Sequence, residues 1–117
     1  MRDFSFSFRP LKLWLPCWVD FRLQRRDKDR QILEQVTVVI NARSKYREEL
    51  GIARLIQKDQ RKLPGCEFMV APLVTEGEAI EDGFDSLYQM TEWFYHQYGV
   101  RPQIEPLYKY TLEWVCT

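Results

Sequence analysis

The sequence predicts an α+β fold, in which a small and mostly antiparallel β-barrel has two helices late in the chain. Three features support this prediction. Apolar and polar residues alternate along several segments of the first half, two helix-start signals follow from Thr75 onward, and an alternating segment closes the sequence. Because no internal repeat or low-complexity linker divides the 117 residues, we expect a single domain over residues 1–117.

The strands are predicted from a period of two residues, which is the period of an extended chain. Phenylalanine alternates with serine from Phe4 to Phe8, and leucine alternates with Lys12 and Trp14 in the segment that follows. Prolines separate these two segments from each other and from the next part of the chain. The predicted strands cover residues 4–8, 11–15, 35–40, 51–57, 67–71 and 106–115.

The two helices are predicted from capping signals. Residues 75–78 have the Thr-x-x-Glu form of a capping box, and Gly83 is suited to end that helix in a left-handed conformation. Ser86, with Asp85 as the alternative cap, would begin a second helix over about residues 86–98. The residues expected to be buried together by this helix and the last strand are Phe84, Leu87, Met90, Phe94 and Trp114.

The segment that carries these helices also resembles one protein family. Residues 81–87, Glu-Asp-Gly-Phe-Asp-Ser-Leu, and the later Tyr98-Gly99 pair are similar to the signature of ASCH domains. Residues 43–53 are similar to a basic turn and the Leu-Gly-x-Ala strand of the same family. ASCH domains are small barrels of the PUA-like fold, and several bind RNA or modified nucleosides. The resemblance therefore implies a PUA-like barrel and a role in nucleic-acid binding.

One motif of that family is not preserved. Many ASCH domains carry Gly-x-Lys-x-x-Thr-x-Arg, and its Lys and Thr are catalytic in members that hydrolyse acylated nucleosides. The nearest segment here, residues 22–30, lacks both the Gly and the Thr. Covalent hydrolysis needs a nucleophile within hydrogen-bond reach of its activating base. We therefore assign no catalytic residue and predict that the chain is not a working nucleoside amidohydrolase.

The cysteines and the histidine indicate neither a disulfide framework nor a metal site. Cys17, Cys66 and Cys116 form no CxxC pair and are odd in number, which favours a reducing cytoplasm. His96 is the only histidine, and we expect neither metal nor cofactor. The apolar stretch 4–18 is too short and too charged to span a bilayer, and no signal-peptide cleavage site follows it. We expect a cytoplasmic protein that does not contact a membrane.

The charge is balanced overall but uneven along the chain. Residues 1–62 contain 15 Lys and Arg against 8 Asp and Glu, whereas residues 63–117 contain 2 against 9. Basic clusters in the first half would attract phosphates, although Asp27 and Asp29 weaken the first cluster and leave a solvated loop as its alternative. The residues predicted to contact nucleic acid are Arg22, Arg25, Arg26, Lys28, Arg30, Arg43, Lys45, Tyr46 and Arg47.

Two functions fit this sequence. The first is a non-enzymatic module that binds nucleic acid, with RNA favoured over DNA, or a nucleotide, using basic loops for phosphates and Tyr46, Trp18 or Trp14 as ring faces. The alternative is a small phage or mobile-element protein that binds and modulates a host protein through an acidic or basic surface. A hydrolase ranks third. The acidic residues expected on such a surface are Glu76, Glu78, Glu81, Asp82 and Asp85.

Overall fold

The chain folds into an α+β structure whose five-stranded sheet curls into a half-barrel, as seen in a computed structural model that describes residues 1–23, 29–67 and 70–115. A 3₁₀ helix covers Leu11–Trp14, in the first connection between strands. The strands are β1 (Arg2–Phe6), β2 (Cys17–Leu23), β3 (Gln35–Ile40), β4 (Glu48–Arg61) and β5 (Leu107–Trp114). The α-helices are α1 (Glu76–Asp82), α2 (Leu87–Tyr98) and α3 (Arg101–Ile104).

The sheet order β1-β3-β4-β5-β2 places the first two strands of the chain at opposite edges. β1 is parallel to β3, and the other three pairings are antiparallel. The long strand β4 pairs with β3 along its first part and with β5 along its second, and each pairing contains a register shift. Such irregularities increase local twist, so β4 is the strand about which the sheet curls.

Two arginine side chains bind the edge strand β1, and one of them reaches it from the opposite edge strand, β2. Arg22, in β2, donates a hydrogen bond from NH2 to the Ser5 carbonyl oxygen of β1 at 2.8 Å. Arg30, which precedes β3, donates in the same way to the Asp3 carbonyl oxygen at 2.9 Å. Both guanidinium groups also lie near the ring of Phe4, at 3.8 Å for Arg22 and 4.7 Å for Arg30. Side chains therefore contribute to the closure of the half-barrel between β1 and β2.

Two hydrophobic clusters form the core. The first is formed by residues of all five strands and the 3₁₀ helix, and includes Phe4, Trp18 and Leu112. The second lies under the helices and includes the buried Met90 and Phe94, with Phe84, Leu87 and Tyr95 packed against it. Trp114 was expected in this second group, but it packs against the first. The prediction for Trp114 is wrong because the last strand contributes to both clusters. Its beginning, at Leu107, belongs to the second cluster, and its end belongs to the first.

The two predicted helices begin and end where the capping signals place them. The Thr75 hydroxyl accepts from the Glu78 amide at 3.1 Å, and the Glu78 carboxylate accepts from the Thr75 amide at 3.0 Å. Gly83 ends α1 with φ of 116°. Ser86, rather than Asp85, caps α2 by accepting from the Gln89 amide. A third helix, α3, has only 4 residues and was not predicted.

Most predicted strands are present, with three corrections. Residues 11–15 form the 3₁₀ helix instead of a strand, because the chain turns after Pro10, where the Leu13 amide donates to the Pro10 carbonyl. β2 was missed because both of its faces are largely buried, so buried polar residues interrupt its apolar pattern. Of the expected strand 67–71, residues 68 and 69 lie outside the described part, and the described residues of that range are not in a strand.

Candidate ligand-binding cleft

A cleft of about 1500 Å³ opens where β1, the 3₁₀ helix and β2 face α1 and α2. It has three parts, which we name by their residues. The aromatic walls are Phe6, Phe8, Phe84, Trp93 and Tyr98. The polar floor, which is mostly buried, is Lys12, Asp20, Arg22 and Asp82. The mouth is formed by Arg9, Leu11, Leu15, Glu81, Asp85 and Arg101.

The helix side of the aromatic walls is positioned by the turn between α1 and α2. Because Gly83 adopts a left-handed conformation, the chain reverses direction and Phe84 packs back against α2. The Phe84 ring lies 5.8 Å from that of Trp93, and the Trp93 ring lies 6.1 Å from that of Tyr98. These rings hold one another in place, so this wall is formed before any ligand arrives.

The polar floor is organised around the ammonium group of Lys12. Its Nζ donates to the Val19 carbonyl at 2.7 Å, to Asp20 Oδ1 at 2.7 Å and to Asp82 Oδ1 at 2.6 Å. The three side chains are 6%, 9% and 5% exposed, respectively, for Lys12, Asp20 and Asp82. An ammonium group has three donors, and all three are used here. Lys12 therefore joins the 3₁₀ helix to β2 and α1.

The two carboxyl groups of the floor differ in protonation. Burial and the neighbouring Asp20 carboxylate raise the pKa of Asp82 to about 7, although Lys12 opposes the shift. Burial alone would also raise the pKa of Asp20, but the charges of Lys12 and Arg22 and their hydrogen bonds outweigh it and hold the pKa below its usual value. Near neutral pH, Asp20 is therefore ionised, whereas Asp82 is present in both its protonated and its ionised form.

Two polar atoms of the floor remain available to a ligand. Arg22 uses Nε for Asp20 Oδ2, at 2.6 Å, and NH2 for the Ser5 carbonyl. Within the described part of the chain its NH1 donates no hydrogen bond, and Asp82 Oδ2 accepts from no N–H group, although the protonated Asp82 carboxyl shares a hydrogen bond with Asp20 that is lost when Asp82 ionises. Both residues line the cleft. The floor thus offers one donor, from Arg22, and one acceptor, from ionised Asp82.

The first predicted basic cluster is divided by the structure. Arg22 lies in the polar floor, whereas Arg30 is only 8% exposed and lies against Phe4. Burial and the nearby Arg22 charge lower the pKa of Arg30. This position gives Arg30 a structural role and keeps it from presenting its charge at the surface. Outside the described residues lie Arg25, Arg26 and Lys28.

The second predicted cluster lies in the loop between β3 and β4, away from the residues that line the cleft. Tyr46 is 71% exposed there, with Lys45 Nζ 5.2 Å from its ring centre. Arg47 is paired with Asp3 at 2.9 Å. In the part of the chain that is described, Arg43 and Lys45 make no ion pair, so they supply the available charge of this loop.

Two further expectations are corrected by the packing. Trp18 is 3% exposed and cannot offer a ring face, whereas Trp14 is 70% exposed with Arg9 over its ring. The expected acidic surface is smaller, because two of its five residues are buried in ion pairs. Glu78 is paired with Arg61 and Lys109, and Asp82 is paired with Lys12. Basic residues of the first half also form ion pairs with acidic residues of the second half, so the two halves do not form separate positive and negative faces at these pairs. The pairs are Lys12–Asp82, Arg54–Glu113 and Arg61–Glu78. The acidic residues that remain exposed are Glu76, Glu81 and Asp85.

Sequence reasoning missed the central members of the floor. Lys12 was treated as a polar position in an apolar segment, Asp20 was not considered, and neither was assigned a role. A signal was nevertheless present, since each is a lone charge of opposite sign within a run of apolar residues. Such charges are rarely buried unless they are paired. Two of them, eight residues apart, favour a buried ion pair over two solvated side chains.

Comparison of the chain with family models, with curated proteins and with solved structures gave no match. Residues 1–23, 29–67 and 70–115 contain no group of His, Cys, Asp and Glu side chains that could hold a metal ion. No helix in those ranges combines the length and the apolar character needed to cross a membrane. The assignment of a function therefore depends on the chemistry of the cleft.

Proposed function

We propose that this chain is a non-enzymatic module that binds a nucleotide or single-stranded nucleic acid, with RNA favoured over DNA. The observation that carries the proposal is the combination of aromatic walls with a polar floor in one cleft. Aromatic rings stack on bases of any sequence, at about 1–3 kcal/mol per base. Polar groups below the rings would orient the base, which is the usual arrangement of a small-molecule site.

The cleft is also large enough for such a ligand. Pockets for small molecules have volumes of about 300–1000 Å³, and this cleft has about 1500 Å³. Arg9 and Arg101 lie at the mouth, where a phosphate would emerge once a base occupied the walls. Arg9 lies over the Trp14 ring, and Arg101 is paired with Glu105 at 2.9 Å. The neighbouring Glu81 and Asp85 limit the net charge of the mouth, so we expect base stacking to contribute more than phosphate binding.

The PUA-like architecture and ASCH membership belong to the same proposal. The signature-like segment 81–87 forms the end of α1 and the turn before α2. From it come Asp82 of the polar floor and Phe84 of the aromatic walls. The position of this segment at the cleft supports a functional reading of the resemblance. In this proposal the exposed loop of Arg43, Lys45 and Tyr46 binds additional phosphates and bases of a longer strand.

A host-protein partner is the second candidate, supported by a different observation. Phe8, Leu11 and Leu15 are between 54% and 85% exposed and lie together at one side of the cleft. Apolar side chains grouped in this way are typical of protein contact sites. A protein partner would cover this side of the mouth, whereas a nucleotide would enter between the walls.

Binding measurements with matched variants test the nucleotide proposal. Single-stranded RNA, single-stranded DNA, duplexes and mononucleotides are titrated at two salt concentrations, and quenching of tryptophan fluorescence that is lost in Trp93→Phe reports stacking. Phe8→Ala removes a wall ring, and Tyr88→Ala is its control, because Phe8 is 70% and Tyr88 72% exposed but only Phe8 lines the cleft. We expect Phe8→Ala to weaken binding about tenfold and Tyr88→Ala to leave it unchanged. Equal binding by both variants, or no binding of any nucleic acid or nucleotide, would overturn the proposal.

A further inference from the structure

We propose that Asp82 and Arg22 recognise the hydrogen-bonding edge of the bound base, so that the cleft selects among bases instead of only stacking on them. The ligand class is a base that presents an N–H donor beside an acceptor. This inference rests on the proposed function of the cleft. It concerns the available atoms in the polar floor, Oδ2 of Asp82 and NH1 of Arg22.

The first argument is that both groups are held in place. Arg22 is fixed by Asp20 at 2.6 Å, by the Ser5 carbonyl at 2.8 Å and by the face of Phe4 at 3.8 Å. Asp82 is fixed by Lys12 at 2.6 Å, and its side chain is 5% exposed. Lys12 also contacts Asp20, so the donor and the acceptor belong to one connected network. Groups held in this way discriminate between ligands because they do not adjust to a wrong one.

The second argument comes from what a ligand would cover. Among the described residues, the buried side-chain atoms without a hydrogen-bond partner are Trp18 Nε1 and Arg30 NH1, so the two floor atoms are not orphaned in the free protein, but a ligand that covers the floor would remove their access to water. A base that donates to Asp82 and accepts from Arg22 would satisfy both atoms. A ligand of the same shape without that donor would leave Asp82 Oδ2 unpaired, and a site built around hydrogen bonds discriminates strongly against such a ligand.

The other charged groups around Asp82 are not placed to recognise a base in the floor. Lys12, from the 3₁₀ helix, has no donor left, and Asp20, from β2, accepts from both Lys12 and Arg22. The remaining charges lie at the mouth. They are Glu81 and Asp85 from α1 and the turn after it, Arg101 from α3 and Arg9 from the segment after β1. Among the lining residues, β1 and α2 contribute no charge.

A proton is linked to this recognition. An N–H donor of the base would bind the ionised form of Asp82, so the carboxyl group must release its proton when the ligand binds. Affinity should therefore increase from pH 6 to pH 8 and level off once Asp82 is ionised in the free protein. Monophosphates that only stack would show just the dependence shared by ribose 5-phosphate, which comes from the second phosphate ionisation at about pH 6. The pH profile thus separates recognition by Asp82 from binding by the aromatic walls.

The experiment compares matched ligands on matched variants. The probes are the four ribonucleoside monophosphates, ribose 5-phosphate, and a pair that differs in one donor, uridine and N3-methyluridine monophosphate. Asp82→Asn keeps an oxygen for Lys12 but places an NH₂ group where the acceptor was. Arg22→Lys keeps the charge but removes NH1, and Tyr88→Ala is the control. Circular dichroism verifies that each variant is folded.

We expect at least one base to bind about tenfold more tightly than the others, and both floor variants to remove that preference. Asp82→Asn should also remove the rise in affinity with pH beyond that of ribose 5-phosphate, and Tyr88→Ala should change neither. If all bases bind equally and with no pH dependence beyond that of ribose 5-phosphate, while Phe8→Ala still weakens binding, the recognising pair is refuted and the stacking cleft remains. If no nucleotide binds the wild type, the proposed function fails as well. Should Asp82→Asn not fold, Arg22→Lys alone decides the outcome.

Discussion

Replacing Asp82 with Asn should make the protein more stable at alkaline pH, although it removes a partner of a buried ion pair. The reason is the protonation of Asp82, whose pKa is raised to about 7 by burial and the Asp20 carboxylate. In the unfolded chain an Asp has a pKa of about 3.9. The folded protein therefore binds an extra proton between these two values, and its stability falls as pH rises through 7.

The magnitude follows from the size of the shift. One pKa unit corresponds to about 1.4 kcal/mol, so a shift of about 3 units is worth about 4 kcal/mol over the whole range. Between pH 5 and pH 8 the free energy of unfolding of the wild type should fall by about 2.5 kcal/mol from this group alone. Asn cannot titrate, so the free energy of unfolding of the variant should not fall in this way. Relative to the wild type, the variant should become more stable by about 2.5 kcal/mol between pH 5 and pH 8.

Urea denaturation at pH 5, 6, 7 and 8, followed by tryptophan fluorescence, measures the effect. Asp20→Asn is the matched control. Because the pKa of Asp20 stays low, this variant removes an ionised partner from Lys12 and Arg22 and should cost about 3–5 kcal/mol at pH 7. The reasoning is refuted if Asp82→Asn also costs several kcal/mol at pH 8, since Asp82 would then be an ordinary ionised partner of Lys12.

Three further changes test other parts of the structure. Phe94→Ala should destabilise the protein by about 3–5 kcal/mol because Phe94 is 2% exposed, and a change below about 1 kcal/mol in denaturant unfolding would contradict its place in the core. Gly51→Ala should cost more than about 1 kcal/mol because Gly51 has φ of 148° next to the Trp114 ring, whereas an unchanged unfolding midpoint would show that β4 can relax there. Replacing Arg43, Lys45 and Arg47 with Ala should reduce the slope of log affinity for single-stranded RNA against log salt by roughly 0.7 for each phosphate that the protein no longer neutralises. An unchanged slope would place the phosphate-binding residues elsewhere.

Local signals in the sequence predicted those elements that local interactions determine. Thr75, Gly83 and Ser86 define helix ends through hydrogen bonds to residues a few positions away, and the structure has them in those roles. Strand β3 is likewise found at the predicted residues, Gln35–Ile40. In both cases the pattern of side chains is read within one element. No information about distant parts of the chain is needed.

The cleft could not be predicted in the same way, because its parts come from residues far apart in sequence. Lys12 and Asp82 are 70 positions apart and meet only because α1 packs beside β2. β2 itself was missed since Asp20 and Arg22 are polar residues on a buried face. The basic clusters were visible in the sequence, but the acidic partners that neutralise Arg47 and Arg30 were not.

The strand order has a consequence for the synthesis of this protein on the ribosome. In the described residues, β2 pairs in the sheet with β5 alone, although more than 80 residues separate the two strands in the sequence. A chain emerging from its N-terminus therefore exposes β2, with its apolar side chains, until β5 has been translated. Pairings of such long sequence separation form slowly. The cleft, one side of which is β2, is consequently a late product of folding, because β2 has no partner strand before β5 has been made.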